Sequence, residues 1–212
     1  MATYRPTSYP TSTDLVEKNR AYTETKHIPK PYIAELPQLG IETGVQAPSV
    51  FVIGCIDFRA SPEQFLDLQG GEAFVTRNLG GRFPQSQEDL LFIETITQGQ
   101  RLKEVVIMHH TDCGLTQLRV GDIKSAFKAE HPEAAAEIDG LRFPTYDGSS
   151  LAKHQEAIDE DLKAFKESPL IRQELKDTVK AYLYIFTLLR NAMELDMVTS
   201  MVPHPADVIA AT

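Results

Sequence analysis

The sequence predicts an α/β fold: a mainly parallel central β-sheet flanked by helices, with a helical arm at the N-terminus. Three observations predict it. Short, nearly continuous apolar runs at 50–53 and 105–108 have the pattern of buried strands, and 73–76 reads as a further strand between them. Helical patterns lie between and after them, at 86–98, near 121–130 and over 150–167. Polar residues suited to chemistry follow directly on the first and third runs. Those are strand carboxyl ends, where open α/β sheets place their sites.

Taken in order, the first 13 residues form a Pro- and Ser/Thr-rich tail without the apolar core of a secretory signal. Residues 13–26 predict a short polar helix. Pro29, Pro31, Pro37 and Pro48 make 27–48 an irregular connector. These segments, 1–48, precede a catalytic domain expected over 49–189 and an atypical tail at 190–212. After the first strand, Ser61, Pro62 and Gln64 form a helix start with Ser61 as cap. Ser86 is expected to cap the helix at 86–98, with Leu90, Leu91, Ile93 and Ile96 as its apolar positions. Over 150–167 the apolar side reads Leu151, Ile158, Leu162 and Phe165, and the glutamates form a solvated face. Residues 178–189 predict a last strand.

Composition narrows the function classes. The chain has 212 residues and a net charge of −9, which argues against nucleic-acid and anionic-membrane partners. No apolar run approaches the roughly 20 residues of a membrane span. Two cysteines rule out a disulfide framework and make the cytoplasm the expected compartment, an organelle presequence being the alternative. No GxGxxG or Walker pattern marks a nucleotide site.

Both cysteines sit at strand ends. The first strand runs into Cys55-Ile56-Asp57-Phe58-Arg59, the third into His109-His110-Thr111-Asp112-Cys113-Gly114. If the two strands are neighbours, Cys55, His110 and Cys113 converge. Two thiolates and an imidazole suit zinc rather than magnesium or calcium, and three protein ligands leave a fourth position open, as in catalytic sites. The competing readings are buried apolar cysteines with a satisfied histidine, or a redox pair between Cys55 and Cys113. Asp57 is placed either to take a proton near the metal or to close the site by binding it, and Arg59 to hold Asp57 in a charge-assisted pair. Strand alternation points His109 to the opposite face from His110. Asp112 reads as a turn residue. His27, His131, His154 and His204 read as surface histidines, and Gly70-Gly71 and Gly80-Gly81 as turns.

The pair Cys55-x-Asp57-x-Arg59 and His110-x-x-Cys113-Gly114, with Arg77-Asn78-Leu79-Gly80-Gly81 between them, resembles the β-class carbonic anhydrases, most of all their short fungal and bacterial members. The resemblance implies one zinc ion per chain, held by Cys55, His110 and Cys113. It implies an Asp57–Arg59 dyad that keeps Asp57 off the metal, and a substrate contact at the Gly114 amide. The implied reaction is reversible hydration of CO2 to bicarbonate and a proton by zinc-bound hydroxide. The alternatives are hydrolysis of carbonyl sulfide to CO2 and hydrogen sulfide at the same site, or a zinc module without turnover. A homodimer or a multiple of dimers is also implied. The chain departs from the family pattern at Phe58 and Leu79, where smaller residues are usual. It departs again at the C-terminus, where Tyr184-Ile185 replaces a Tyr-Asp pair and no Thr-Gly turn follows.

Overall fold

The structure, a computed structural model, describes residues 10–27, 48–97, 102–188 and 197–203, with backbone alone at 186–188 and 197–203. Most of the connector, Gln98, His204 and most of the C-terminal tail lie outside the described residues. The chain falls into two compact units, Met1–Val45 and Gln46–Thr212.

In the first unit, helix α1 spans Ser12–Thr25. It starts there because Thr11 and Asp14 satisfy each other's exposed backbone donors: the Asp14 amide donates to Thr11 Oγ1, and the Thr11 amide to Asp14 Oδ2 at 2.6 Å. None of its residues is buried within the unit, and Leu15, Val16 and Tyr22 are exposed.

The second unit is built on five strands, β1 (Val50–Cys55), β2 (Phe74–Asn78), β3 (Glu104–His110), β4 (Lys180–Leu188) and β5 (Met197–Pro203), in the order β2-β1-β3-β4-β5. The first four are mutually parallel; β5 runs antiparallel to β4. Parallel strands need helical crossovers, which cover the faces and explain the unbroken apolar runs. The helices are α2 (Pro62–Phe65), α3 (Phe83–Ile96), α4 (Gly114–Gln117), α5 (Val120–Glu130), α6 (Ala135–Gly140), α7 (Leu151–Glu167) and α8 (Gln173–Thr178). The core joins Phe51 and Ile53 of β1, Val105 and Ile107 of β3 and Ala181 and Leu183 of β4 to Leu90 of α3 and to Ile158, Leu162 and Phe165 of α7. Phe83 meets Phe165 edge-on at 4.8 Å, a geometry that stabilises by about 0.5–1.5 kcal/mol beyond area burial.

Some local expectations shift. Helix α3 begins at Phe83, with Pro84 in its first turn, three residues before the expected cap. Ser86 is instead buried inside the helix, where the Asn78 amide donates to it at 2.7 Å. Ser61 is the N-cap residue of α2 and Pro62 opens the helix, as expected, but the Ser61 hydroxyl donates to Glu63 rather than capping a backbone amide. Leu151 is exposed, outside the buried stripe of α7. The stretch 190–212, which carried no strand signal, supplies β5.

The register positions the site. Ile53 pairs with Ile107, so residue 55 and residues 109–110 arrive at the same end of the sheet. The Leu79–Gly81 turn lies against that end. Gly81 has φ 68°, and a Cβ there would stand 2.5 Å from the Met108 carbonyl oxygen and 3.1 Å from the Cys55 nitrogen. Only glycine fits both demands.

Candidate metal centre

Cys55 ends β1, His110 ends β3 and Cys113 precedes α4; all three are buried. One donor atom of each lies within 4.8 Å of the others, in a group 58 residues apart along the chain at its widest. The two sulfurs are 3.7 Å apart and the cysteines are free. A disulfide requires about 2.05 Å. Two sulfurs on one tetrahedral zinc, at about 2.3 Å each, stand about 3.8 Å apart, so the observed separation fits a shared ion. His110 Nδ1 lies 2.9 Å from the Thr111 carbonyl oxygen. A carbonyl only accepts, so Nδ1 carries the proton and Nε2 is the nitrogen that could bind a metal. Ligating histidines are generally fixed in this way.

The electrostatics agree with such a site. The Cys113 hydrogen bond, helped by His110, pulls the Cys55 thiol down to about 4 against the cost of its burial. The same hydrogen bond, together with burial, pushes Cys113 up.

Asp57 lies beside the donors, with its carboxylate bound by Arg59. Its Oδ1 accepts from the Arg59 backbone amide at 2.9 Å and from Arg59 Nε at 3.0 Å; its Oδ2 accepts from Nη2 at 2.7 Å. These bonds hold its carboxyl below the usual carboxylate range. Asp57 Oδ2 stands 4.0 Å from His110 Nε2. Arg59 has a second anchor: Nη1 donates to Asp112 Oδ2 and Nη2 to the Asp112 carbonyl oxygen, both at 2.8 Å. Asp112 does sit in a turn, at φ 54°, and that turn aims its side chain at Arg59. Its position between His110 and Cys113 was the available signal. Arg77 donates to the carbonyl oxygens of Cys55 (2.9 Å) and Asp57 (2.7 Å), fixing the backbone that carries both. Gly114 is exposed and opens α4. Ile56 (60%) and Phe58 (70%) are exposed, as is Leu79.

Behind β3 the chemistry changes. His109 Nε2 bonds Asp161 Oδ2 at 2.8 Å, and Arg82 Nε lies 2.9 Å from the same carboxylate. Arg82 also donates to Glu160 at 3.0 Å. His154 is buried rather than on the surface: on α7 it shares a face with Ile158, Asp161 and Phe165, and burial lowers its pKa. Residues 154, 158, 161 and 165 are at helical spacing. That spacing puts His154 and Asp161 on the apolar side of α7. Exposed His27 and His131 match their expected setting.

A mainly parallel α/β sheet with a buried Cys–His–Cys group at its strand carboxyl ends defines an α/β protein with side chains that could hold a metal ion. A family model described as carbonic anhydrase matches residues 50–193. The chain belongs to the β-class carbonic anhydrase family, a family of enzymes. It is 27% identical over 125 residues to "Beta-carbonic anhydrase 1" of Mycobacterium tuberculosis, covering 58% of this chain and 68% of that protein. The solved carbonic anhydrase of Glaciozyma antarctica superimposes with a TM-score of 0.60 at 27% identity, over 87% of this chain and 94% of that one. The carbonic anhydrase of Streptococcus mutans, at 22% identity and a TM-score of 0.61 over 84% and 94% of the two chains, shares the fold.

Proposed function

We propose that this chain catalyses the reversible hydration of CO2 to bicarbonate and a proton, with one zinc ion held by Cys55, His110 and Cys113. The observation that carries the reading is the group of three buried donors beside an Asp57 that Arg59 holds away from them. A zinc ion held there supplies the Lewis acidity that makes water a nucleophile near neutral pH.

The chain's own residues do the rest. Asp57, kept ionised by Arg59, accepts a hydrogen bond from the attacking water at its carboxylate and orients it toward the substrate carbon. Arg59, gripped by Asp57 on one side and Asp112 on the other, prevents Asp57 from swinging onto the donors and filling the open position. Arg77 holds the backbone of Cys55 and Asp57 so that carboxylate and sulfur keep their spacing. The Gly114 amide hydrogen-bonds an oxygen of substrate or product. The buried donors exclude bulk water from the metal.

Stopped-flow CO2 hydration on protein of known zinc content tests the reading. Turnover proportional to zinc is expected; stoichiometric zinc with no hydration overturns it, and sulfide release from carbonyl sulfide would then name the other substrate.

We also read the working form as at least a homodimer, the exposed Ile56 and Phe58 beside the site supplying apolar surface. A monomer by light scattering at micromolar concentration overturns that. Two free buried thiols suit the reducing cytoplasm; a fluorescent fusion found in an oxidising compartment counts against it. Among the described residues no helix is long and apolar enough to cross a membrane.

A further inference from the structure

Cys55 and Cys113 are the only cysteines of the chain. Both are free and buried, and their sulfurs stand 3.7 Å apart. A disulfide needs about 2.05 Å between sulfurs, so a closing movement of less than about 2 Å would bring them into bonding reach.

The two sides are restrained unequally. Cys55 ends β1, pairs in register with Asn78 of β2, and its carbonyl oxygen accepts from Arg77 at 2.9 Å. Cys113 lies past the end of β3 and before the first turn of α4. It follows Asp112, at φ 54°, which Arg59 holds from one side. It precedes exposed Gly114, where a Cβ would meet nothing within 4 Å. The turn that carries Cys113 therefore has space to move into, while Cys55 stays with the sheet.

Two thiols this close have a defined reaction with a peroxide. One sulfur attacks a peroxide oxygen; the O–O bond breaks, an S–O bond forms and water leaves. The second sulfur displaces that oxygen as a second water and forms the S–S bond. Two thiols and one hydrogen peroxide thus give one disulfide and two waters. Each sulfur gives up one electron, and the peroxide takes both. Because the second step is intramolecular, the sulfenic acid is captured before it oxidises further.

We propose that Cys55 and Cys113 form a reversible redox switch on the metal centre: a peroxide joins their sulfurs in a disulfide, which withdraws two of the three metal donors, and a dithiol returns them. The dithiol is itself oxidised to a disulfide in that return step. The proposal rests on Cys55, His110 and Cys113 being the metal donors. Zinc and the disulfide then compete for the same two sulfurs, and His110 alone cannot keep the ion.

The test uses the full chain, zinc-loaded and metal-free, treated with hydrogen peroxide. Remaining thiols are alkylated, and the digested chain is read by peptide mass; zinc release is followed with a chromophoric chelator. The expected product is a peptide pair joined through Cys55 and Cys113, about 2 Da lighter than the two free peptides together. Zinc should leave in step with that product, and the metal-free chain should form it faster. Dithiothreitol should restore both thiols and zinc binding. Recovery of the two cysteines as sulfinic or sulfonic acids, with no joined peptide, overturns the proposal. So does a bond formed between two chains, seen as a dimer on a non-reducing gel. A joined pair in protein that keeps its zinc also overturns it, and places the metal on other donors. If the reduced wild type takes up no zinc at all, the donor assignment has failed before any oxidant is added and the switch falls with it.

Discussion

His109 and His110 are consecutive on β3 and both are fully buried, yet they meet opposite chemistry. His110 has two cysteine sulfurs beside it and its Nδ1 proton tied to a backbone carbonyl. His109 has a carboxylate and a guanidinium, so its nitrogen joins a buried ion-pair network. Strand alternation sends the rings to opposite faces, and the neighbouring side chains decide what each becomes. Soft donors on one face suit a metal ion. Hard, already neutralised charges on the other make a brace between β3, the start of α3 and α7. Burial by itself therefore says little about the function of a histidine; the donor set around it says more.

The contrast is sharpest if the metal face is broken first. Cys55→Ala or His110→Ala should lose bound zinc altogether, as measured by metal analysis of the purified protein. Replacing Asp161 should leave zinc stoichiometric. Full zinc in His110→Ala would erase the distinction between the two histidines. Next in size is Arg59→Ala, which should keep its zinc and lose about 100- to 10,000-fold in kcat/KM for CO2, the range for a misplaced general base. A fully active Arg59→Ala enzyme would remove Asp57 from the mechanism.

The brace has its own signature. Asp161→Ala strips the buried Arg82 and His109 of their shared carboxylate and should cost about 3–5 kcal/mol of stability, read as a drop in the urea midpoint with the zinc content unchanged. A parallel loss of zinc would mean that the two faces are coupled through the strand.

The smallest effect concerns pH. Burial favours neutral His154, so its folded pKa lies below the usual value, with nearby His109 adding to the shift and Asp147 opposing it. As pH falls below about 6.5 the unfolded chain takes up a proton before the folded one does. The stability that neutral His154 contributes is thus complete above that pH and is lost on acidification. His154→Gln should flatten the fall of the thermal midpoint between about pH 7 and 5. An unchanged slope would place the acid sensitivity elsewhere.

Much of this architecture was legible residue by residue. Apolar runs at 50–53 and 105–108 reveal buried strands because both faces of a parallel sheet are covered. Cys55 and His110 could be placed at strand ends because each directly follows or closes such a run. Ser86 has the look of a cap, but Pro84 and the Asn78–Ser86 hydrogen bond set the start of α3 three residues earlier. A histidine among charged residues looks solvated unless the whole helical face is followed, and His154 is buried on that face. The strand β5 gave no local signal; its pairing with β4 is antiparallel and lies at the sheet edge, where nothing forces a continuous apolar run.

The sequence by itself determined the alternation of strands and helices, and the placement of two cysteines, a histidine and an aspartate at strand ends. These depend on local periodicity and on the chemistry of single side chains. Only the tertiary structure decided that β1 and β3 lie side by side, bringing sulfurs 58 residues apart to 3.7 Å. It alone showed that Asp112 is the second anchor of Arg59, and that Arg82, His109 and Asp161 close a charge network behind the site. Those contacts join segments far apart in the chain, and their partners are fixed by strand register and helix packing rather than by any pattern within one segment.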